Sequence, residues 1–319
     1  MAPSPFSNSS TYHNRRTKLQ LECVQTIGGL VSDISDESQY RKKVPGFPVD
    51  IKLSHNHSCI LIADFYNNSI NVLDIHTKAF KLAIKVPISP ILRILIEENY
   101  ESNKDALIVS SNDEMIKYDL ANLIEAATYN QYADCLWRLY ASCEFKGMSL
   151  VKEKDGNKIY VCGSPKNCIG KVDSLTGLMN DDDDDVLPVI SCFQPVIDPK
   201  DGSMIVGIRN NFPTNLFQIY SQNERGVWSC VKSIAKEGLF SYPQDEDISF
   251  SFLLDQTNQY ILLNKEGHGL LMISVESGAI VKSFENRKEG ANVGGMCFNS
   301  ISGELFVCDA QYGVVRVFK

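Results

Sequence analysis

Short apolar runs recur along this chain at a nearly constant interval. Six segments align: ILIADFYNNSINVLD from Ile60, ALIVSSNDEMIKYD from Ala106, KIYVCGSPKNCIGKVD from Lys158, SMIVGIRNNFPTNLFQIY from Ser203, QYILLNKEGHGLLMIS from Gln259 and ELFVCDAQYGVVRVF from Glu304. Each begins with an apolar run, passes through a polar turn of four to eight residues, and continues into a second apolar run. The second run often alternates apolar with polar positions, the pattern of a half-buried strand. Successive starts lie 45 to 56 residues apart.

Hairpin turn signals precede four of these runs, with DGN at Asp155, DGS at Asp201, TNQ at Thr257 and SGE at Ser302. His55-Asn56-His57 fills the same slot in the first repeat. A further strand is predicted upstream of each turn: VDIKL, LRILI, GMSLV, QPVID, SFSFLL and GGMCF. Several second runs lead on through another turn to a fourth strand, as in AFKLAI, VWSCV and AIVKSF. Four antiparallel strands per repeat at this period make a propeller blade. The fold class is therefore all-β, a six-bladed β-propeller. The last repeat ends at Lys319 after its third strand, and LQLECVQTI at residues 19–27 is the candidate for the missing fourth. An N-terminal strand pairing there closes the ring and removes an open sheet edge. Residues 1–17, rich in Ser, Asn and Pro, read as a disordered tail, and residues 18–319 as a single propeller.

FPVDIKLSHNHSCILIADFYNNSINVLD, residues 47–74, resembles an NHL repeat, and ELFVCDAQYGVVRVF echoes it in the last blade. The motif aspartate stands at Asp64 and Asp309, where it is expected to accept hydrogen bonds from the backbone of its own turn. The motif arginine is replaced by Ser69 and Gly313, and Cys162, Gly207 and Asn264 lie near the aspartate slot in the middle repeats. No WD signature and no kelch-type Gly-Gly series occurs. The resemblance implies a six-bladed propeller whose loops recognise a partner.

Composition narrows the function. A formal net charge of −8 disfavours nucleic acid as the main partner. No stretch approaches the roughly 20 apolar residues that span a bilayer, and the N-terminus has no apolar core of a secretory signal. The ten cysteines are then expected as reduced thiols of a cytoplasmic protein. No C-x-x-C occurs, and no Cys/His pair has zinc spacing. Asp181 to Asp185 is a run of acids without the spaced ligands of a calcium loop, and reads as solvated. LANLIEAATYNQYADCLWRL places Leu120, Leu123, Ile124 and Ala127 on one face of a helix inserted in blade two, expected to pack on the bottom rim.

Propellers of this size include metal-dependent hydrolases and lyases, and the candidate ligands here are the top carboxylates Asp64, Asp113, Glu266 and Asp309. Among five histidines only His268 falls in a predicted top loop, and no Ser/His/Asp grouping or phosphate-cradling loop appears. No enzyme activity, cofactor or metal is expected. The inner strands read as largely apolar, with Gly294-Gly295 as close packing at the axis. RNA binding by a basic top face is the other alternative, but acidic residues share that face. The favoured reading is a monomeric scaffold that binds a protein or peptide through Arg41, Phe65, Tyr66, Arg209, Phe212, Tyr242 and Tyr312, since aromatics beside arginine on a rigid platform make interaction hot spots.

Overall fold

The recurring runs are the second strands of six four-stranded antiparallel sheets. A computed structural model describes residues 21–28, 46–141, 145–163, 169–180, 192–198, 201–208, 215–224, 227–235, 250–255, 259–265, 269–284 and 293–319. Blade one holds β2 (Pro48–Ser54), β3 (Cys59–Asp64), β4 (Ser69–Asp74) and β5 (Phe80–Lys85). Blade two holds β6 (Arg93–Glu101), β7 (Lys104–Ser110), β8 (Glu114–Asp119) and β9 (Trp137–Tyr140). Blade three holds β10 (Gly147–Glu153), β11 (Gly156–Cys162), β12 (Ile169–Asp173) and β13 (Met179–Asn180). Blade four holds β14 (Cys192–Ile197), β15 (Met204–Ile208), β16 (Asn215–Gln222) and β17 (Trp228–Ala235). Blade five holds β18 (Phe250–Leu254), β19 (Tyr260–Lys265), β20 (Gly269–Ser274) and β21 (Ile280–Ser283). Blade six joins β22 (Val293–Asn299), β23 (Glu304–Asp309) and β24 (Val314–Phe318) to β1 (Cys23–Gly28).

The first strand of every blade lies innermost and touches the first strands of both neighbours, including β22 against β2, so the ring is closed. Closure uses the expected segment. β1 pairs antiparallel with β24 from Cys23 opposite Phe318 to Gly28 opposite Val314, and Glu22 and Lys319 exchange two backbone hydrogen bonds at 3.0 Å. Residues 19 and 20 of that prediction, and the tail, lie outside the described residues.

Burial follows distance from the rim. Every residue of β3 and β15 is buried, whereas β1 and β5 are mostly exposed. A middle strand is therefore apolar on both faces, and each face is covered by a neighbouring blade. The predicted helix is present as α1 (Leu120–Thr128), capped by Asp119, whose carboxylate accepts from Asn122 N at 3.0 Å. Leu120 and Leu123 are buried, and Ile124 and Ala127 pack beside them on the cluster that includes Ile84 and Leu107.

The turns from third to fourth strand share one device. Asp74 accepts from His76 N, Thr77 N and Thr77 Oγ1, and Asp173 accepts from Leu175 N, Thr176 N and Thr176 Oγ1. Blade five uses Ser274, whose hydroxyl oxygen accepts from Ser277 N at 3.1 Å. Gly177 follows in the left-handed region at φ +71°, and a Cβ there would lie 2.7 Å from the Trp137 ring of blade two. That glycine thus serves both the turn and the seam between blades.

Removing residues 1–27 takes away most of the closing strand, and the melting temperature should fall by upwards of about 10 °C. Removing residues 1–16 should leave it unchanged, as read by thermal circular dichroism of both truncations. A second expectation concerns acid. The Thr77 N–H and the Lys81 ammonium hold Asp74 below the usual carboxylate range, and the Lys158 ammonium, with the Thr176 N–H, holds Asp173 down to about 2. A depressed folded pKa adds stability that is complete above the unfolded value of about 4 and is lost as pH falls below it. Urea midpoints at pH 6 and pH 3 should therefore differ less for Asp173→Asn than for the native chain.

Candidate functional site

The most developed feature of the top face is the turn between β3 and β4. Asp64, fully buried at the end of β3, organises it. Its Oδ2 accepts from Gly46 N at 2.7 Å, Asn67 Nδ2 at 2.7 Å and Asn71 Nδ2 at 3.4 Å. Its Oδ1 accepts from Phe47 N and Asn67 N, both at 3.2 Å. The aspartate thus holds its own turn, as expected, and also the chain entering the blade. Phe65 N donates to Phe47 O at 3.0 Å, and Asn68 Nδ2 donates to Ile88 O at 2.8 Å, tying the turn to the connection towards blade two. Asn68 adopts φ 46°, a conformation that asparagine tolerates better than most residues.

This frame gathers three rings. Phe47 lies 4.7 Å from Tyr66 and 5.9 Å from Phe65, and Phe65 lies 5.6 Å from Tyr66 in an edge-on arrangement. Tyr66 remains 71% exposed. Phe47 and Phe65, both half-buried, pack against it, so a large aromatic surface is presented there.

Blade six carries the second described part of the face. Ala310–Tyr312 forms a 3-10 turn closed by Gly313, and Tyr312 is 42% exposed. Asp309 is fully buried but makes no side-chain bond to its own turn, which corrects the expectation from sequence. It accepts instead from Arg316 Nε at 3.0 Å. Asp309 faces Val314, and Arg316, two residues along β24, points to the same side, so a charged guanidinium stands where blade one has the Asn71 amide beside Asp64. The Arg316 guanidinium then lies 5.9 Å from the Tyr312 ring centroid. The two turns sit on neighbouring blades brought close by Gly294, where a Cβ would fall 2.5 Å from Pro48 O. Of the seven candidate residues, Phe65 and Tyr66 lie in the turn between β3 and β4, and Tyr312 in the turn between β23 and β24. Arg41, Arg209, Phe212 and Tyr242 lie outside the described residues, as do His268, Glu266 and the acids at 181–185.

The axis is more polar than the sequence reading held. Asp50 Oδ1 accepts from Ile51 N at 2.9 Å and Lys52 Nζ at 2.8 Å, and Oδ2 accepts from Ile94 N at 3.0 Å on the next blade. Gln194 does the same between blades four and five, donating to Phe252 O at 3.1 Å. Arg93 donates to Val49 O, Leu92 O and Lys146 O, reaching blades one and three. These groups tie inner strands together. A signal existed in VDIKL, whose Asp50 and Lys52 share one face of a strand. Gly295 is small for the same reason, since a Cβ there would collide with Asp50 Oδ1.

As to chemistry, Asp64 and Asp309 are engaged as described. Among the described residues no group of three or more His, Cys, Asp or Glu could hold a metal ion, and no helix is long and apolar enough to cross a membrane.

No protein-family model and no curated protein matches the sequence. Among solved structures the chain is similar to the Myceliophteria thermophila Cps50 (Swd1) β-propeller domain, at 9% identity and a TM-score of 0.59, over 87% of this chain and 97% of that one. At that identity the likeness concerns the fold alone.

Asp64→Ala leaves several N–H groups, most of them part-buried, without their acceptor and should cost about 3 kcal/mol. Asp64→Asn should cost less, because the amide oxygen can still accept. Urea denaturation of both variants checks the order.

Proposed function

We propose that this chain is a non-catalytic, NHL-like propeller that acts in the cytoplasm as a monomeric scaffold, binding a protein or peptide through its top-face loops. The observation that carries this reading is the Tyr66 ring, 71% exposed on a turn fixed by the five hydrogen bonds to Asp64. An aromatic side chain held in one orientation loses little entropy when a partner covers it, which is why such rings recur as binding anchors. Tyr312 with Arg316 supplies a second anchor on the adjacent blade. The remaining residues of the proposed surface are Phe65, Arg41, Arg209, Phe212 and Tyr242.

Tyr66→Ala and Phe212→Ala test the reading, singly and together, with Tyr312→Ala as a third variant. Each should fold with a melting temperature within about 2 °C of the native chain, as expected for side chains away from the core. Quantitative affinity purification from the native cell should recover a protein with the unaltered chain that the variants retain at least about tenfold less, a change of about 1.4 kcal/mol. Recovery that depends on intact nucleic acid, and not on these rings, would assign the face to RNA. Equal recovery by all variants would remove the top face from the proposal.

A further inference from the structure

A cavity of about 330 Å³ lies at the seam between blades four and five, lined by Lys232, Gln259, Tyr260, Ser274, Val275 and Glu276. Its blade-five wall comes from the turns between first and second and between third and fourth strands, at the opposite end of the strands from the kind of turn that carries Tyr66. The β16–β17 hairpin forms the other wall. β17 runs from Trp228, opposite Gln222, to Ala235, opposite Asn215. Ile234 packs against the turn of blade five, where a Cβ on Gly278 would lie 3.0 Å from Ile234 Cγ2. Lys232, two residues earlier, reaches the same turn, and its Nζ donates to Val275 O at 2.8 Å and to Glu276 O at 2.5 Å. The blade-five wall is braced by its own backbone. Val275 N donates to Gln259 O at 2.9 Å, and Asp255 Oδ1 accepts from Gln259 N and Tyr260 N at 2.9 Å each.

Lys232 is half-buried, and among the described residues no carboxylate forms an ion pair with it. The two carbonyl oxygens occupy two of the three ammonium N–H groups and neutralise none of the charge. A cation partly withdrawn from water gains most from an anion that joins it there. Two hydroxyl-bearing residues line the same cavity. The Ser274 oxygen accepts from Ser277 N at 3.1 Å, which leaves its hydrogen free to donate. The Tyr260 hydroxyl has no hydrogen-bond partner among the described residues.

We propose that this cavity binds a small monocarboxylic acid, its carboxylate paired with the Lys232 ammonium and its apolar part set against Val275 and Tyr260. Charge decides the class of ligand. Glu276 also lines the cavity and is exposed, so the site holds one cation beside one carboxylate. Lys232 matches a single negative charge. The second charge of a phosphate or a dicarboxylate would meet Glu276 with no cation to offset it. A neutral amide of the same shape would lose the charge-assisted hydrogen bond, which is roughly twice as strong as a neutral one. The volume is at the low end of the range for small-molecule sites, which suits a compact acid.

The test uses the full chain and benzoate as the probe. Benzamide is its neutral counterpart, and inorganic phosphate and succinate supply more than one charge. Calorimetric titration at low salt and neutral pH should give one benzoate per chain with a Kd of about 1 mM or tighter. The amide resonances of Gln259, Tyr260, Val275 and Glu276 should shift on titration, and that of Tyr66 should not. Benzamide, phosphate and succinate should each bind at least about tenfold more weakly. Lys232→Met keeps the length of the side chain and removes its charge, so benzoate binding should weaken at least about tenfold while the melting temperature stays within about 2 °C. Should that variant fail to fold, the ratio of benzoate to benzamide affinity on the native chain decides. Absence of both heat and shifts at about 20 mM benzoate overturns the proposal. Equal affinity for benzamide, tighter binding of phosphate or succinate, or unchanged benzoate binding by folded Lys232→Met does so as well.

Discussion

The architecture depends on the middle strands of each sheet having no face that can meet water. A strand that alternates apolar with polar residues can sit at the surface with one side wet. β3, β15 and most of β7 and β23 are buried from end to end, with isoleucine, leucine and valine on both sides. Such a sheet must be sandwiched between two others. A row of sandwiched sheets always has two uncovered outer faces unless it bends round to meet itself. The right-handed twist of each sheet allows neighbours to pack around an axis, and six of them complete the turn here.

Apolar packing alone would let blades slide past one another, and polar clasps set their alignment. Glu97 of blade two is held by Lys117 of its own blade at 2.6 Å and by Asn157 Nδ2 of blade three at 2.6 Å. Ser174, also of blade three, donates its hydroxyl to Glu97 and accepts from Lys117. Both charged side chains are nearly sealed from solvent, at 2% and 4% exposure. A buried ion pair of this kind gains little net stability over apolar groups, but it strongly disfavours any arrangement in which one charge loses its partners. Asp105 of blade two plays the same part for blade one, accepting from Ser54 Oγ and Asn56 Nδ2 at 2.6 Å each. Lys78 and Glu304 do so across blades one and six at 3.0 Å.

The architecture was legible in the sequence because its signal is repeated. Six similar runs at a steady interval, with hairpin turns at matching places, identify blades even where single strands are ambiguous. The closing strand and the helix face at Leu120 and Leu123 were readable for the same reason, being pattern and not chemistry. Individual polar contacts were harder. Asp64 and Asp309 occupy matching positions, and in each blade the residue two along the next strand donates to the carboxylate, but that residue is Asn71 in blade one and Arg316 in blade six. Asp50, Arg93 and Gln194 stand in strands expected to be apolar, and sequence does not reveal their partners, which include carbonyls and N–H groups of adjacent blades, far away along the chain. Of the proposed binding residues, Phe65, Tyr66 and Tyr312 were visible through the turn signals that flank them. How those rings stack could only be seen once Phe47 was placed beside them by the Asp64 hydrogen bonds.

The pairing of β1 with β24 also has a consequence for biosynthesis. β1 leaves the ribosome nearly 300 residues before the strand it will join. At elongation rates of about 5 to 20 residues per second, it waits for about 15 to 60 s. Throughout that time five blades and part of the sixth can assemble in order, each against the one before, while the nascent chain trails an unclaimed strand. The free edge is then a site where a holding chaperone could bind, or where two unfinished chains could pair by mistake. Closure of the ring is thus postponed until β24 has been made, and a chain interrupted before that strand would hold a ring that cannot shut.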